Sequence, residues 1–229
     1  MSSNLIMSMF LYWGSESIPC WKPMLVLEEK GLSGYPNKKI SFSDKEHKSE
    51  EIMNINPRGQ VPTFKDGDIV VNESGAICFY LEGKFPESGT KLLPDNIAER
   101  APVLQRVFEV SNLDTNLVSN IARYKLTTPK DKIDEGLLES RYESLRKELQ
   151  IWNGYLTASG GYVVGNKFTM ADVFFFPYIA FGVRVGLDLA KYPAISAYYN
   201  KVKDRPSVKA TWPPHWADGP GDSSIFGSV

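Results

Sequence analysis

Apolar positions along the chain fall into two regimes. Over the first third they come in short runs bounded by turn residues. Beyond that they recur at steps of three and four. "MFLYW" (Met9 to Trp13) is a run stopped by Gly14 and predicts a buried strand. From Cys20, the positions Met24, Leu25, Leu27 and Leu32 fit a helix closed by Gly31 and Gly34. Pro19 and Pro23 fall near its first turn, where a missing N–H costs least. "KKISFS" (Lys38 to Ser43) alternates as a second strand, and the polar "DKEHKSEEIMNI" that follows predicts a short exposed helix. In "VPTFKDGDIVVNES", Asp66-Gly67 separates two strand-like runs and predicts a hairpin with a two-residue type I′ turn. After Asn72, the spacing of Ser74, Ile77, Cys78, Leu81 and Phe85 is helical. The resulting order is β-α-β-α-β-β-α.

"PESGTKLLPDN" (Pro86 to Asn96) is rich in turn residues and predicts a linker. Strand signals then almost vanish. Val103, Val107, Val110, Leu117, Ile121 and Tyr124 mark one long helix. Leu138, Tyr142, Leu145, Leu149, Trp152 and Leu156 mark another. "TMADVFFFPYIAFGVRVG" is apolar all round apart from Asp172 and Arg184, as the central helix of a bundle should be. "PAISAYYNKVKDRPSV" adds a last helix or two, with Arg205 before Pro206 ending a helix. The tail "TWPPHWADGPGDSSIFGSV" is expected over the surface. The expected architecture is α/β followed by all-α, with one domain over 1–89 and an all-helical one over 90–229.

Composition narrows the functions. With 229 residues, 42% hydrophobic and 23% charged, the chain can bury a sizeable core. Lys+Arg 26 against Asp+Glu 27 gives a net charge of -1, which offers no electrostatic reason to expect nucleic acid or an acidic membrane as partner. No apolar run approaches the roughly 18 residues of a membrane span. The start lacks a basic region before its apolar part, so no signal peptide is expected. Two cysteines, Cys20 and Cys78, make no disulfide framework; a reducing, cytoplasmic setting is expected.

Four stretches of the first half carry candidate chemistry. Ser17-Ile18-Pro19-Cys20 is a C-x-x-C redox motif with a hydroxyl in place of its first sulfur; Ser17 also suits a plain helix cap. "NPRGQVP" (Asn56 to Pro62) ends on Val-Pro before a strand. A cis bond there would leave the N–H and C=O of Val61 to pair with an extended peptide, although an ordinary loop proline is the commoner case. "NESGAI" (Asn72 to Ile77) opens a helix with Glu73 and Ser74. That pair suits the zwitterionic end of an amino acid, with the carboxylate at the free N–H groups and the ammonium at Glu73. "EHKSEE" supplies His47 and Lys48, cations able to hold a more distant carboxylate, or simply the solvated start of a helix. Thr169 and Asp172 form a T-x-x-D capping pattern. Asp114 interrupts the Val110–Leu117 face, where burial would demand a partner, and a backbone amide is expected.

The run "HKSEEIMNINPRGQVPTFKDGDIVVNESGAICFYLE" resembles the glutathione-binding half of the glutathione S-transferases, closest to rho-like and phi-like patterns. "FTMADVFFFPYIAF" and "YPAISAYYNKVKDRPSVK" resemble the helical half of the same superfamily, so the likeness runs from about Met9 to Lys209. It implies a thioredoxin-like domain, an all-α domain and a homodimer, with glutathione as co-substrate, a hydrophobic electrophile as second substrate, and neither metal nor further cofactor. By position it makes Val61 the backbone clamp on the cysteinyl residue and Pro62 the cis proline. Gln60, Glu73 and Ser74 would meet the γ-glutamyl end, and His47 and Lys48 the glycyl carboxylate. Ser17 would be the activating hydroxyl of a serine-type member. The loop after Trp13 is a residue longer than in many relatives, and counting from the strand selects Ser15 instead. Tyr12, the type used by tyrosine members, sits too early. Leu117, Ile121, Tyr124, Trp212 and Trp216 are the expected walls for the electrophile. Two other readings stand beside conjugation. A glutaredoxin-type enzyme would need a cysteine at position 17. A non-catalytic ligand-binding or structural member of the fold would tend to lose the activating hydroxyl.

Overall fold

The computed structural model describes Ile6, residues 8–15, residues 17–227 and Val229. The chain divides into two compact units, one of residues 1–91 with 206–218 and one of residues 92–205 with 219–229. The expected division was at 89/90. The linker region is cut two residues later, and part of the expected surface tail belongs to the first unit.

In the first unit a four-stranded sheet has the order β2-β1-β3-β4, with β1 Met9–Trp13, β2 Asn37–Lys39, β3 Thr63–Asp66 and β4 Ile69–Asn72. β1 runs parallel to β2 and antiparallel to β3. Its helices are α1 (Ile18–Glu29), the single turn α2 (Glu50–Met53) and α3 (Ser74–Lys84). This is the expected β-α-β-α-β-β-α order of a thioredoxin-like domain. Three local expectations are corrected. β2 is shorter than Lys38–Ser43, because Ser41 leaves the ladder: its N–H donates to Glu46 Oε2 (2.7 Å) and its hydroxyl to Asp44 Oδ2 (2.7 Å). The polar helix is split into a 3₁₀ turn at Glu46–Lys48 and α2, with Ser49 extended between them. The hairpin loop is Gly67-Asp68, since Asp66 pairs with Ile69. Only Gly67 has positive φ (58°) there, which suits a type II′ rather than a type I′ turn. Asp66 is a strand residue whose buried carboxylate accepts hydrogen bonds from Ser8, Tyr80 and Lys84. Burial works against the charge, yet these bonds hold the group below the usual carboxylate range.

The second unit is helical, with α4 (Ile97–Leu113), α5 (Tyr124–Thr127), α6 (Glu135–Ser159), α7 (Met170–Arg184) and α8 (Pro193–Val202). The long helix expected from Val103 to Tyr124 is continuous but changes its winding: Asp114–Arg123 is π-helical. Leu113, Leu117 and Ile121, four apart, stay on one buried face because wider turns match steps of four. α6 buries the six residues of its expected stripe. The expected partner of Asp114 is corrected too. Its Oδ1 accepts from the Tyr178 hydroxyl (3.1 Å) on α7 rather than from a backbone amide. No described helix is long and apolar enough to cross a membrane.

α7 begins at the T-x-x-D box. Fully buried Asp172 accepts from the N–H of Val163 (2.9 Å), the N–H of Thr169 (2.8 Å) and the Thr169 hydroxyl (3.0 Å). Burial still dominates, raising its pKa from 3.8 to about 6. Asp172→Ala strands three donors and should cost about 3–5 kcal/mol in denaturant unfolding. A raised folded pKa means that the group's contribution is full below its unfolded value and fades as pH climbs through about 6. Wild type should therefore lose stability relative to Asp172→Asn between about pH 4 and 7. A pH-independent difference would contradict this.

Candidate functional site

Strand register brings the four candidate stretches to one end of the sheet. Tyr12, near the end of β1, pairs with Thr63 at the start of β3; Thr63 in turn pairs with Asn72 at the end of β4. Trp13 pairs with Lys39, the last residue of β2. Gly14, Ser15 and Ser17 after β1, the chain leaving β2, the Val61–Pro62 approach to β3 and the start of α3 therefore share an edge. Side chains join them. Lys48 Nζ donates to the Arg58 carbonyl (2.9 Å), tying the 3₁₀ turn to the loop before β3. Asn72 Nδ2 donates to the Ile55 carbonyl (2.9 Å), tying the end of β4 to that loop. Val61 packs in a cluster with Tyr12, Cys20, Ile40 and Ile52, which places it beside the first turn of α1.

The turn from β1 into α1 is tight. Ser17 N–H donates to the Gly14 carbonyl (3.2 Å), and a side chain at Gly14 would collide with the Phe42 ring. Ser17 is the N-cap: its backbone is extended and its Oγ accepts from the Cys20 N–H at 3.3 Å. Cys20 is wholly buried. Burial pushes its thiol up to about 11, against the pull of the Ser17 hydroxyl and the Gly14 N–H. Ser15 is held elsewhere. Its Oγ lies 2.7 Å from Nδ1 of His215. Tyr12 lies inside β1 and donates its hydroxyl to Glu51 Oε1 (2.9 Å). Burial and that carboxylate push its pKa up to about 12, so this phenol stays protonated near neutral pH with its proton given to Glu51.

The Val61–Pro62 bond is cis. The Asn56 side chain braces the loop before it, donating to the Gln60 carbonyl (2.8 Å) and to Thr63 Oγ1 (3.1 Å). The Gln60 side chain is exposed. Glu73 is exposed with φ 73° and ψ 121°, a left-handed conformation that costs a non-glycine residue about 1–3 kcal/mol. It sits where α3 starts, and its side chain does not cap that end, so the first N–H groups of α3 after half-buried Ser74 point out of the helix. His47 is half-buried against Phe42 with its Nδ1 buried and unpartnered, whereas Lys48 is exposed.

The expected apolar walls belong to the two units separately. Leu117 and Ile121 are fully buried in the core of the helical unit. Tyr124 is half-buried and accepts the Asp134 N–H (2.9 Å) through its hydroxyl. Trp212 and Trp216 belong to the first unit, each edge-on to Trp21 with centroids 5.5 Å apart. Sequence reasoning missed His215. The signal was there, since the chain has two histidines and the "TWPPHW" segment holds one of them between two tryptophans.

Residues 7–83 match the glutathione S-transferase N-terminal domain, and residues 115–211 match the glutathione S-transferase C-terminal domain. Glutathione S-transferase A of Pleuronectes platessa is 46% identical over 222 residues, covering 96% of this chain and 98% of that protein. The crystal structure of a glutathione S-transferase from the Antarctic clam Laternula elliptica is 51% identical, with a TM-score of 0.89 over 96% of this chain and 98% of its own. A delta-class glutathione transferase from Nilaparvata lugens, 26% identical, aligns with a TM-score of 0.76 over 95% of this chain and 98% of its own. The chain belongs to the glutathione S-transferase family.

Proposed function

We propose that this transferase ionises the thiol of bound glutathione with the Ser17 hydroxyl and passes the sulfur to an apolar electrophile, as a serine-type member of rho-like or phi-like character. Glutathione transfer follows from family membership. The choice of serine, the residues that hold the tripeptide, the electrophile class and a homodimeric assembly are the proposal. The observation that carries it is the shared edge: Ser17, Val61 and the open start of α3 stand at the same end of the sheet.

In this reading the cysteinyl residue of glutathione pairs with the backbone of Val61 as an added strand. The γ-glutamyl carboxylate takes the N–H groups at Ser74, its ammonium takes Glu73, and Gln60 adds a contact. His47 and Lys48 meet the glycyl carboxylate. A free thiol with pKa near 8.5 is only a few per cent thiolate at neutral pH, and lowering it by about two units requires about 2.7 kcal/mol of preference for the anion. A hydroxyl hydrogen bond to a charged group supplies about 1.5–3 kcal/mol, and the N-terminus of α1 adds about 0.3–1. Ser17 can make that bond. Its lone pair already serves the Cys20 N–H, and among the described residues the acceptor beside its proton is the weak sulfur of Cys20, so a thiolate is the stronger partner. The thiolate then displaces a leaving group on, or adds to, the electrophile. The sulfur gains the carbon bond, and the thiol's proton leaves to solvent.

Ser17→Ala should lower kcat for chloro-dinitrobenzene by about 10- to 100-fold while the KM for glutathione changes little. Its loss as a cap costs about 1 kcal/mol of stability, checked by thermal unfolding. If Ser15→Ala is the crippling change and Ser17→Ala is mild, the serine assignment is wrong. Cys20 has neither exposure nor a lowered pKa to act as a nucleophile. Hydroxyethyl disulfide reduction should accordingly be negligible and unaltered in Cys20→Ser; a reductase activity that disappears in that variant would instead establish the glutaredoxin reading.

A further inference from the structure

The segment 206–218 comes from the far end of the sequence, yet it is built into the first unit around α1. It starts with α9 (Pro206–Ala210) and ends in a 3₁₀ turn at Pro214–Asp218. Side-chain hydrogen bonds and ring contacts fasten it to α1. Ser207 donates to Glu29 at the end of α1. The buried Trp21 indole N–H donates to Thr211 Oγ1 (2.8 Å), and Thr211 in turn donates to the Ser207 carbonyl (2.8 Å). Trp21, Trp212 and Trp216 then form a triangle of mutually perpendicular rings, with the two tail indoles 5.2 Å apart. His215 sits between those two tryptophans in sequence, half-buried, and its ring meets Trp216 at 72°. Its position is thus set by α1, and it places Nδ1 2.7 Å from Ser15 Oγ.

We propose that His215 is a positioning residue for the transfer reaction: its Nδ1 anchors the Ser15 hydroxyl and, through it, the turn that presents Ser17 to the sulfur of glutathione. This rests on the reading of that turn as the thiol site. Among the described residues, the turn's own bonds are Ser17 N–H to the Gly14 carbonyl, Gly14 N–H to Cys20 Sγ (3.4 Å) and the capping bond from Cys20, all directed at α1, and the His215 contact ties it to the tail as well. Whichever ring nitrogen carries the proton, the serine oxygen is held at the same place. A donor aimed at an anion is effective only if it is held before the anion forms, so the anchor acts on catalysis more than on binding.

The test compares three variants in purified enzyme. His215→Phe keeps a ring against Trp216 and removes the bond. His215→Asn keeps a polar atom at the δ position. Ser15→Ala removes the other half without touching the tail. His215→Phe should lower kcat about tenfold with the KM for glutathione within about twofold, and should weaken the ultraviolet thiolate absorbance of bound glutathione at neutral pH. His215→Asn should recover kcat to within about threefold of wild type, and the double variant Ser15→Ala/His215→Phe should be no slower than Ser15→Ala alone. The inference is overturned if His215→Phe turns over within about twofold of wild type, if His215→Asn is as slow as His215→Phe, or if the two losses multiply. Should His215→Phe fail to fold, the same loss must appear in Ser15→Ala with His215→Asn close to wild type; its absence overturns the inference equally. A fully active Ser17→Ala enzyme would sink the serine assignment and this role of His215 with it, whereas a crippled Ser17→Ala enzyme beside a fully active His215→Phe enzyme would overturn the His215 inference alone.

Discussion

The antiparallel pairing of β1 with β3 is the constraint on which the rest depends. Leu11 lies opposite Phe64, both without exposed surface, and a slip of one residue would turn each to the opposite face of the sheet. The same register decides where the chain leaves the sheet. It sets the end of β1 beside the start of β3 and, through Thr63 and Asn72, beside the end of β4. Four segments that are scattered over some sixty residues of sequence thereby converge. Burial of ordinary apolar residues selects the register, and the register assembles the polar edge.

A second constraint comes from the return of residues 206–218 to α1. Aromatic pairs contribute about 0.5–1.5 kcal/mol each beyond the area they bury, so three mutual pairs among Trp21, Trp212 and Trp216 make a firm attachment. The consequence is directional. α1 begins at the turn that carries Ser15 and Ser17, and the same helix that is capped by Ser17 fixes the tail that reaches back to Ser15. Packing on the flank of α1 and chemistry at its start are thus mechanically linked. Buried Lys30, just past the end of α1, is paired with Glu82 of α3 at 2.5 Å, which locks the second helix whose N-terminus opens on the site to the same frame.

How much of this the sequence disclosed follows from the range of each interaction. The stripe of α6 and the all-round apolarity of α7 are periodicities within one helix, and both were legible. So was the T-x-x-D box, whose partners are three residues apart. The Val-Pro approach to β3 was readable because proline has a strong positional meaning at a strand start. What escaped depends on contacts between distant residues. The hydroxyl of Tyr178 on Asp114 spans 64 positions, and Ser15 on His215 spans 200. The tail read as a surface strap because its prolines and glycines hide the regular placement of two tryptophans. Leu117 and Ile121 were indistinguishable by spacing from pocket walls, and only burial showed them to be core. The change of winding at Asp114 leaves no mark in the apolar pattern, since a step of four serves either helix.

The account therefore reduces to where the tripeptide's sulfur comes to rest. In a crystal complex with glutathione, the sulfur should lie within hydrogen-bond distance of Ser17 Oγ, with the cysteinyl backbone paired to Val61. A sulfur out of reach of Ser17 Oγ, or a tripeptide that leaves the Val61 backbone untouched, would contradict it.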